Sequence, residues 1–184
     1  FSQNATAAFF AIVQGSREAG QQLSGNYLQT LLEMARRTDE FGVQAGREML
    51  EFFDAIANDP KQGMKALTQE YIVALGAMGN STGIFATDAK ARFMEYIADS
   101  IANHRMLSDD VLEQLSVMAS STRDFSDGSR ELFTSYVQSA IEGGRVLSAE
   151  TTASYAEMIS QSSHFSAAAR DNFYQFVDEA VAGG

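Results

Sequence analysis

The chain repeats itself. Leu23, Leu67, Leu107 and Leu147 each stand eleven residues before a methionine (Met34, Met78, Met118, Met158) and eighteen before a phenylalanine (Phe41, Phe85, Phe125, Phe165). The leucines are spaced by 44, 40 and 40 residues. In that range a unit is one supersecondary element that cannot bury its apolar face without neighbours, so the sequence predicts a tandem array.

The register carries further landmarks. Eight residues after the phenylalanine stands Met49, Phe93, Phe133 or Phe173, and three further on Phe52, Tyr96, Tyr136 or Phe176. Phe1, Phe9 and Ile12 fit the same aromatic positions. The expected organisation is therefore the second half of a unit over 1–22, then units over 23–66, 67–106, 107–146 and 147–184, together one continuous structural domain. A start in mid-unit leads to the expectation of a processed chain or a segment of a longer array.

Within the third unit the apolar and small positions run Leu107, Val111, Leu115, Met118, Thr122, Phe125, Ser129, Phe133, Tyr136 and Ala140, always three or four apart. That is one face of a helix. A single proline and abundant Ala, Met, Gln, Glu and Arg favour helix throughout. The fold class is all-α. Asn58-Asp59-Pro60, Asn103-His104, Gly143-Gly144 and Ala19-Gly20 read as helix stops, and Ser108, Ser148 and Thr68 as N-caps. The middle of each unit admits two readings. Polar segments such as Gly79–Gly83 and Ser120–Asp124, and Thr38 read as an N-cap, suggest a hairpin of two short helices and hence an αα solenoid. The 3.6-residue phase nevertheless runs through these segments unbroken. The sequence is read accordingly as helices of about 34 residues, roughly 50 Å at 1.5 Å per residue, in an elongated antiparallel bundle.

Composition removes several functions. The net charge of −11 opposes a phosphate-neutralising surface, so no nucleic-acid partner is expected, and it opposes a polybasic hold on anionic lipid. The longest apolar runs, Ala7–Val13 and Tyr71–Met78, fall far short of the ~20 residues of a membrane span. With no cysteine there are no disulfides or thiolate metal sites. The two histidines, His104 and His164, form no H-E-x-x-H or E-x-x-H pattern. The glycines form no phosphate loop. Four methionines in register would suit a soft metal, yet each shares a face with leucines and phenylalanines and reads as core. No catalytic, cofactor or metal residue emerges, and no enzyme activity is expected.

The candidate interaction residues are thus the register side chains themselves: Met34, Met78, Met118, Met158; Phe41, Phe85, Phe125, Phe165; Phe93, Phe133, Phe173; and Tyr96, Tyr136, Phe176. Ala45, Ala89, Ser129 and Ala169, one turn after each phenylalanine, leave room for a facing helix, and Arg47, Lys90, Arg130 and Arg170 nearby should snorkel towards water. The pairs Phe9-Phe10, Phe52-Phe53 and Phe173-Tyr174 place rings on both sides of the stripe, which would either be buried between helices or form an adhesive ridge.

Phe52, the run Ala55–Pro60, Leu67–Tyr71 and Phe85 with the Ala-rich stretch after it together resemble the pattern of phasins. The resemblance implies long amphipathic helices coating polyester granules, an apolar surface as partner. The sequence leads to a non-enzymatic structural protein: a scaffold or coat that associates with itself, with another protein or with such a surface. A peptide-binding repeat module and a cofactor or pigment carrier are the alternatives.

Overall fold

The computed structural model describes residues 3–21, 23–37, 39–61, 63–120, 126–143, 147–149, 151–153, 155–156, 170–171 and 174–175. Its regular elements are all helical. They are α1 (Gln3–Glu18), α2 (Gly25–Ala35), α3 (Glu40–Ala57), a 3₁₀ turn (Gly63–Ala66), α4 (Gln69–Gly79), α5 (Ala86–Ala102), α6 (Asp109–Ser120) and α7 (Ser126–Glu142). The starts of α6 and α7 fall 40 residues after those of α4 and α5, which is the sequence spacing.

Among the described residues, the units over 23–66 and 67–106 do not form the continuous 34-residue helices expected from the phase. Helices end at Ala35 and Gly79, in the middle of the sequence units, and new ones begin at Glu40 and Ala86; in the third unit residues 121–125, between Ser120 and Ser126, lie outside the described residues. Local chemistry accounts for this. Asp39 takes the N-cap of α3, its Oδ1 accepting the Gly42 N–H at 2.9 Å, so the cap is Asp39 and not Thr38, which lies outside the described residues. After α4 the Ser81 hydroxyl donates to Met78 O at 2.7 Å and accepts the Gly83 N–H at 3.2 Å. Such side-chain bonds offer the backbone a turn in place of the next helical bond. Phase continuity is compatible with a turn where the helices on either side of it pack together, as α2 and α3 do.

The other ends obey ordinary capping. The Thr68 hydroxyl accepts the Tyr71 N–H at the start of α4, and Ser148 Oγ accepts the Thr151 N–H at 3.1 Å. At the end of α1, Gly20 is left-handed (φ 64°), its N–H donating to Arg17 O and that of Gln21 to Ser16 O. At the end of α5, His104 takes the same conformation (φ 52°), with His104 N–H to Ile101 O and Arg105 N–H to Ser100 O. Both are Schellman endings, and both lie three residues before a register leucine. A Cβ in this region costs about 1–2 kcal/mol, so His104→Gly is expected to raise stability by about 1 kcal/mol in thermal or urea denaturation. Gly20→Ala, with no neighbour to clash, is expected to lose a similar amount through backbone strain alone.

The chain separates into two compact units, 1–96 and 97–184, the division falling inside α5. In the first, α2 packs against α3 and α4, while α1 and the 3₁₀ turn pack against α3. Its core includes Val13, Leu31, Met49, Phe53, Ile72, Leu75, Met78 and Phe93. In the second, α7 packs against α6 around Val111, Leu115, Met118, Phe133 and Tyr136, joined by Tyr155. Full burial of each such side chain stabilises by about 1.5–3 kcal/mol. Among the described residues no helix is long and apolar enough to cross a membrane.

Candidate functional site

Most of the described register residues are interior. Met34, Met78, Met118, Phe93, Phe133, Tyr96 and Tyr136 are all buried, Met118, Phe93 and Phe133 completely. Phe41 and Phe85 are half-buried. Met158, Phe125, Phe165, Phe173 and Phe176 lie outside the described residues. The first unit gathers Met34, Phe41, Met78, Phe85, Phe93 and Tyr96; the second holds Met118, Phe133 and Tyr136.

The small positions behave as their size requires. Ala45, Ala89 and Ser129 are completely buried; Ala169 is outside the described residues. Gly46, next to Ala45, receives the ring of Phe85: a Cβ built there would stand 2.2 Å from Phe85 Cδ2. One helix thus offers a hole into which the next pair inserts a knob. The basic residues do not all snorkel. Lys90 is only 4% exposed, and Arg130, forty residues on, turns its Nε onto Ala119 O at 2.8 Å, satisfying a carbonyl at the end of α6, while its Nη1 reaches Asp127. Glu48, next to Arg47 in sequence, pairs with Arg17 of α1.

Several interhelical links were not anticipated from the sequence. Arg17 of α1 binds Glu48 at 3.1 Å and also Glu51, both on α3. Arg92 of α5 grips Asp54 of α3 with two parallel bonds, Nε to Oδ1 at 2.9 Å and Nη2 to Oδ2 at 2.7 Å. That guanidinium is held above its ordinary range chiefly by the Asp54 hydrogen bond. Glu48 is raised, burial outweighing the pull of Arg17. In the second unit the Asp109 carboxylate accepts from Ser148 Oγ at 2.7 Å and Thr151 Oγ1 at 3.2 Å, tying the next helical start to α6. A signal for these links existed only as scattered charges, because no single helix reveals its neighbours.

Tyrosines seal the seams. The Tyr71 hydroxyl donates to Met49 O, and its ring lies 5.9 Å from that of Phe52. The Tyr136 hydroxyl accepts the Leu107 N–H at 3.3 Å. Tyr155 stacks on Phe133 with centroids 5.6 Å apart. Burial drives the Tyr71 phenol far above its usual value and raises Tyr155 as well. Below about pH 10 these shifts are silent, since folded and unfolded chains are both protonated. Above it the unfolded chain ionises and the buried phenols do not, so stability falls as pH rises, by up to about 1.4 kcal/mol per pH unit per group. Urea midpoints at pH 9 and 11 are expected to show that loss, and Tyr71→Phe to flatten it.

No family model, curated protein or solved structure matches this chain. Of the residues that carry the phasin resemblance, Phe52, Leu67 and Tyr71 are buried in the first unit, whereas Ala55, Asn58, Pro60, Gln69 and Glu70 are exposed. Phe52 and Phe53 are both buried, at 2% and 1% exposure, and Phe10 is buried while Phe9 is half-buried and stacks on Tyr27, so these pairs do not form an outward aromatic ridge. Tyr174 does face solvent. Among the described residues no group of three or more His, Asp or Glu is placed to hold a metal ion. A small pocket of about 80 Å³, lined by Arg17, Gln21, Phe52, Ile56 and Asp59, lies in the first unit and has room for a few waters or one small solute.

Proposed function

We propose that the protein is a non-enzymatic helical-repeat scaffold that binds other proteins on the surface of its stacked helix pairs. The observation that carries this reading is the fate of the register side chains. The described methionines and aromatics that recur every 40 or 44 residues are spent on seams between helices, so the recurrence serves construction. Repetition of a constructional unit yields an extended surface, and extended surfaces recognise helices and peptides. The Arg92–Asp54 and Arg17–Glu48 links support the same view, since they run between helices belonging to successive sequence units. On this reading the tandem units of the sequence are αα hairpins, as in a solenoid.

Size-exclusion chromatography with light scattering tests the proposal: a binding scaffold is expected to remain monomeric as concentration rises. Self-assembly through exposed rings is a second reading, supported by Tyr174, which is 61% exposed. It expects oligomers that grow with concentration and are lost in Tyr174→Ala.

A further inference from the structure

One interval of the register is longer than its counterparts. From Phe52 to Leu67 the chain advances fifteen residues, whereas Ile12 to Leu23, Tyr96 to Leu107 and Tyr136 to Leu147 are eleven each. The four additional residues fall in the segment that carries Asn58-Asp59-Pro60 and the 3₁₀ turn, where Gly63 is left-handed (φ 56°). Insertions in helical arrays gather on one face, often the one that binds. This one helps to enclose the pocket of the first unit. Phe52, Ile56 and Ala66 supply its apolar lining, and Arg17, Gln21 and Asp59 its polar lining.

Charge decides what fits. Arg17 gives Nη1 to Glu48 at 3.1 Å and to Glu51, while among the described residues its Nε and Nη2 meet no acceptor. Asp59 Oδ1 accepts the Lys61 N–H at 2.7 Å, and a carboxylate has lone pairs for further donors. A carboxylate ligand would be the third acid on one guanidinium, and an ammonium ligand would lie beside that guanidinium, so either charged tip meets its own sign. A neutral group that accepts from Arg17 and donates to Asp59 meets neither obstacle. We propose that this pocket binds a primary carboxamide on a short aliphatic stem, its oxygen on the Arg17 guanidinium, its amino group on the Asp59 carboxylate and its stem against Phe52, Ile56 and Ala66. A free small amide and the glutamine side chain of another protein share that chemistry. The volume suits it: about 80 Å³ is roughly half of the ~150 Å³ that takes benzene. This binding site goes beyond the scaffold reading and does not depend on it.

Propionate, propionamide and propionamidinium share one shape and differ in charge. Each is titrated into the isotope-labelled full chain while the backbone amides of Gln21, Ile56 and Asp59 are followed by NMR. Propionamide is expected to shift these amides saturably, with a dissociation constant in the millimolar range, and each charged isostere to bind about tenfold more weakly. Asp59→Asn, which leaves the lining with the Arg17 charge alone, is expected to move the preference towards propionate, a change that a merely structural Asp59 would not produce. Ala66→Leu fills the pocket and should abolish the shifts. Unchanged thermal melts would establish that both variants fold; if Ala66→Leu melts early, the Asp59→Asn comparison decides. N-acetylglutamine methylamide binding more tightly than propionamide assigns the occupant to a protein side chain, and binding more weakly assigns it to a free amide. Equal response to the three isosteres, absence of saturation, or a preference that Asp59→Asn leaves unchanged overturns the site. Oligomers that grow with concentration while amide binding persists count against the scaffold reading and leave the site standing.

Discussion

Phe133→Ala is expected to cost about 3–5 kcal/mol, read as the shift in urea midpoint with the denaturant slope unchanged. The ring is completely buried, stacks on Tyr155 at 5.6 Å and sits one helical turn from Ser129, itself without exposed surface. Truncation removes the transfer free energy of the ring and leaves a hole that rigid helices on both sides cannot close. Phe93, at the same register in the first unit and equally buried, is expected to behave alike. Tyr174→Ala, which alters an exposed ring, should lie within about 0.5 kcal/mol of the parent chain. Equal small losses at all three would contradict a shared interior role.

Gly42→Ala is the second large effect, and its sign opposes helix propensity. Alanine in a helix is ordinarily better than glycine by about 1 kcal/mol. At Gly42, however, a Cβ would stand 2.2 Å from Arg37 O and 2.7 Å from Met34 O. These are backbone atoms at the end of α2, held by the turn that returns the chain into α3, and they cannot swing aside. The account expects a net loss of about 2–3 kcal/mol by thermal denaturation, the upper range for overpacking. The position is special to the shortest turn: only residues 36–39 separate α2 from α3, against 80–85 between α4 and α5, where Ala86 occupies the matching register. At Gly46 the obstacle is the Phe85 ring, a side chain that can rotate, so Gly46→Ala should cost less.

How far the sequence revealed the fold depends on what each signal reports. Periodicity reports burial, and it identified Met34, Met78, Met118, Phe93, Phe133, Tyr96 and Tyr136 as interior along with the small positions facing them. Periodicity does not report continuity. Two helices that share a seam carry the same phase as one long helix, which is why the breaks at Ala35 and Gly79 were overridden by a pattern running through them. The local evidence was present in Asp39 and in Gly79–Gly83, and there it outweighs phase. The buried Lys90 and the Arg92–Asp54 pair were illegible for a different reason: both depend on which helices are neighbours. His104 in a left-handed turn could have been suspected, since Gly20 and Gly144 occupy its register three residues before a leucine.

The most direct test of the central claim, that the recurrent side chains are spent in seams between helices, uses the native protein's own methionines. Brief peroxide treatment of the folded chain, followed by mass spectrometry of its peptides, compares oxidation rates at individual sulfurs. Met106 is 58% exposed, whereas Met34, Met78 and Met118 are buried. The account expects Met106 to oxidise at the rate of a free methionine, and the three register methionines to resist until denaturant unfolds the chain. Register methionines reacting as fast as Met106 in the folded protein would contradict it.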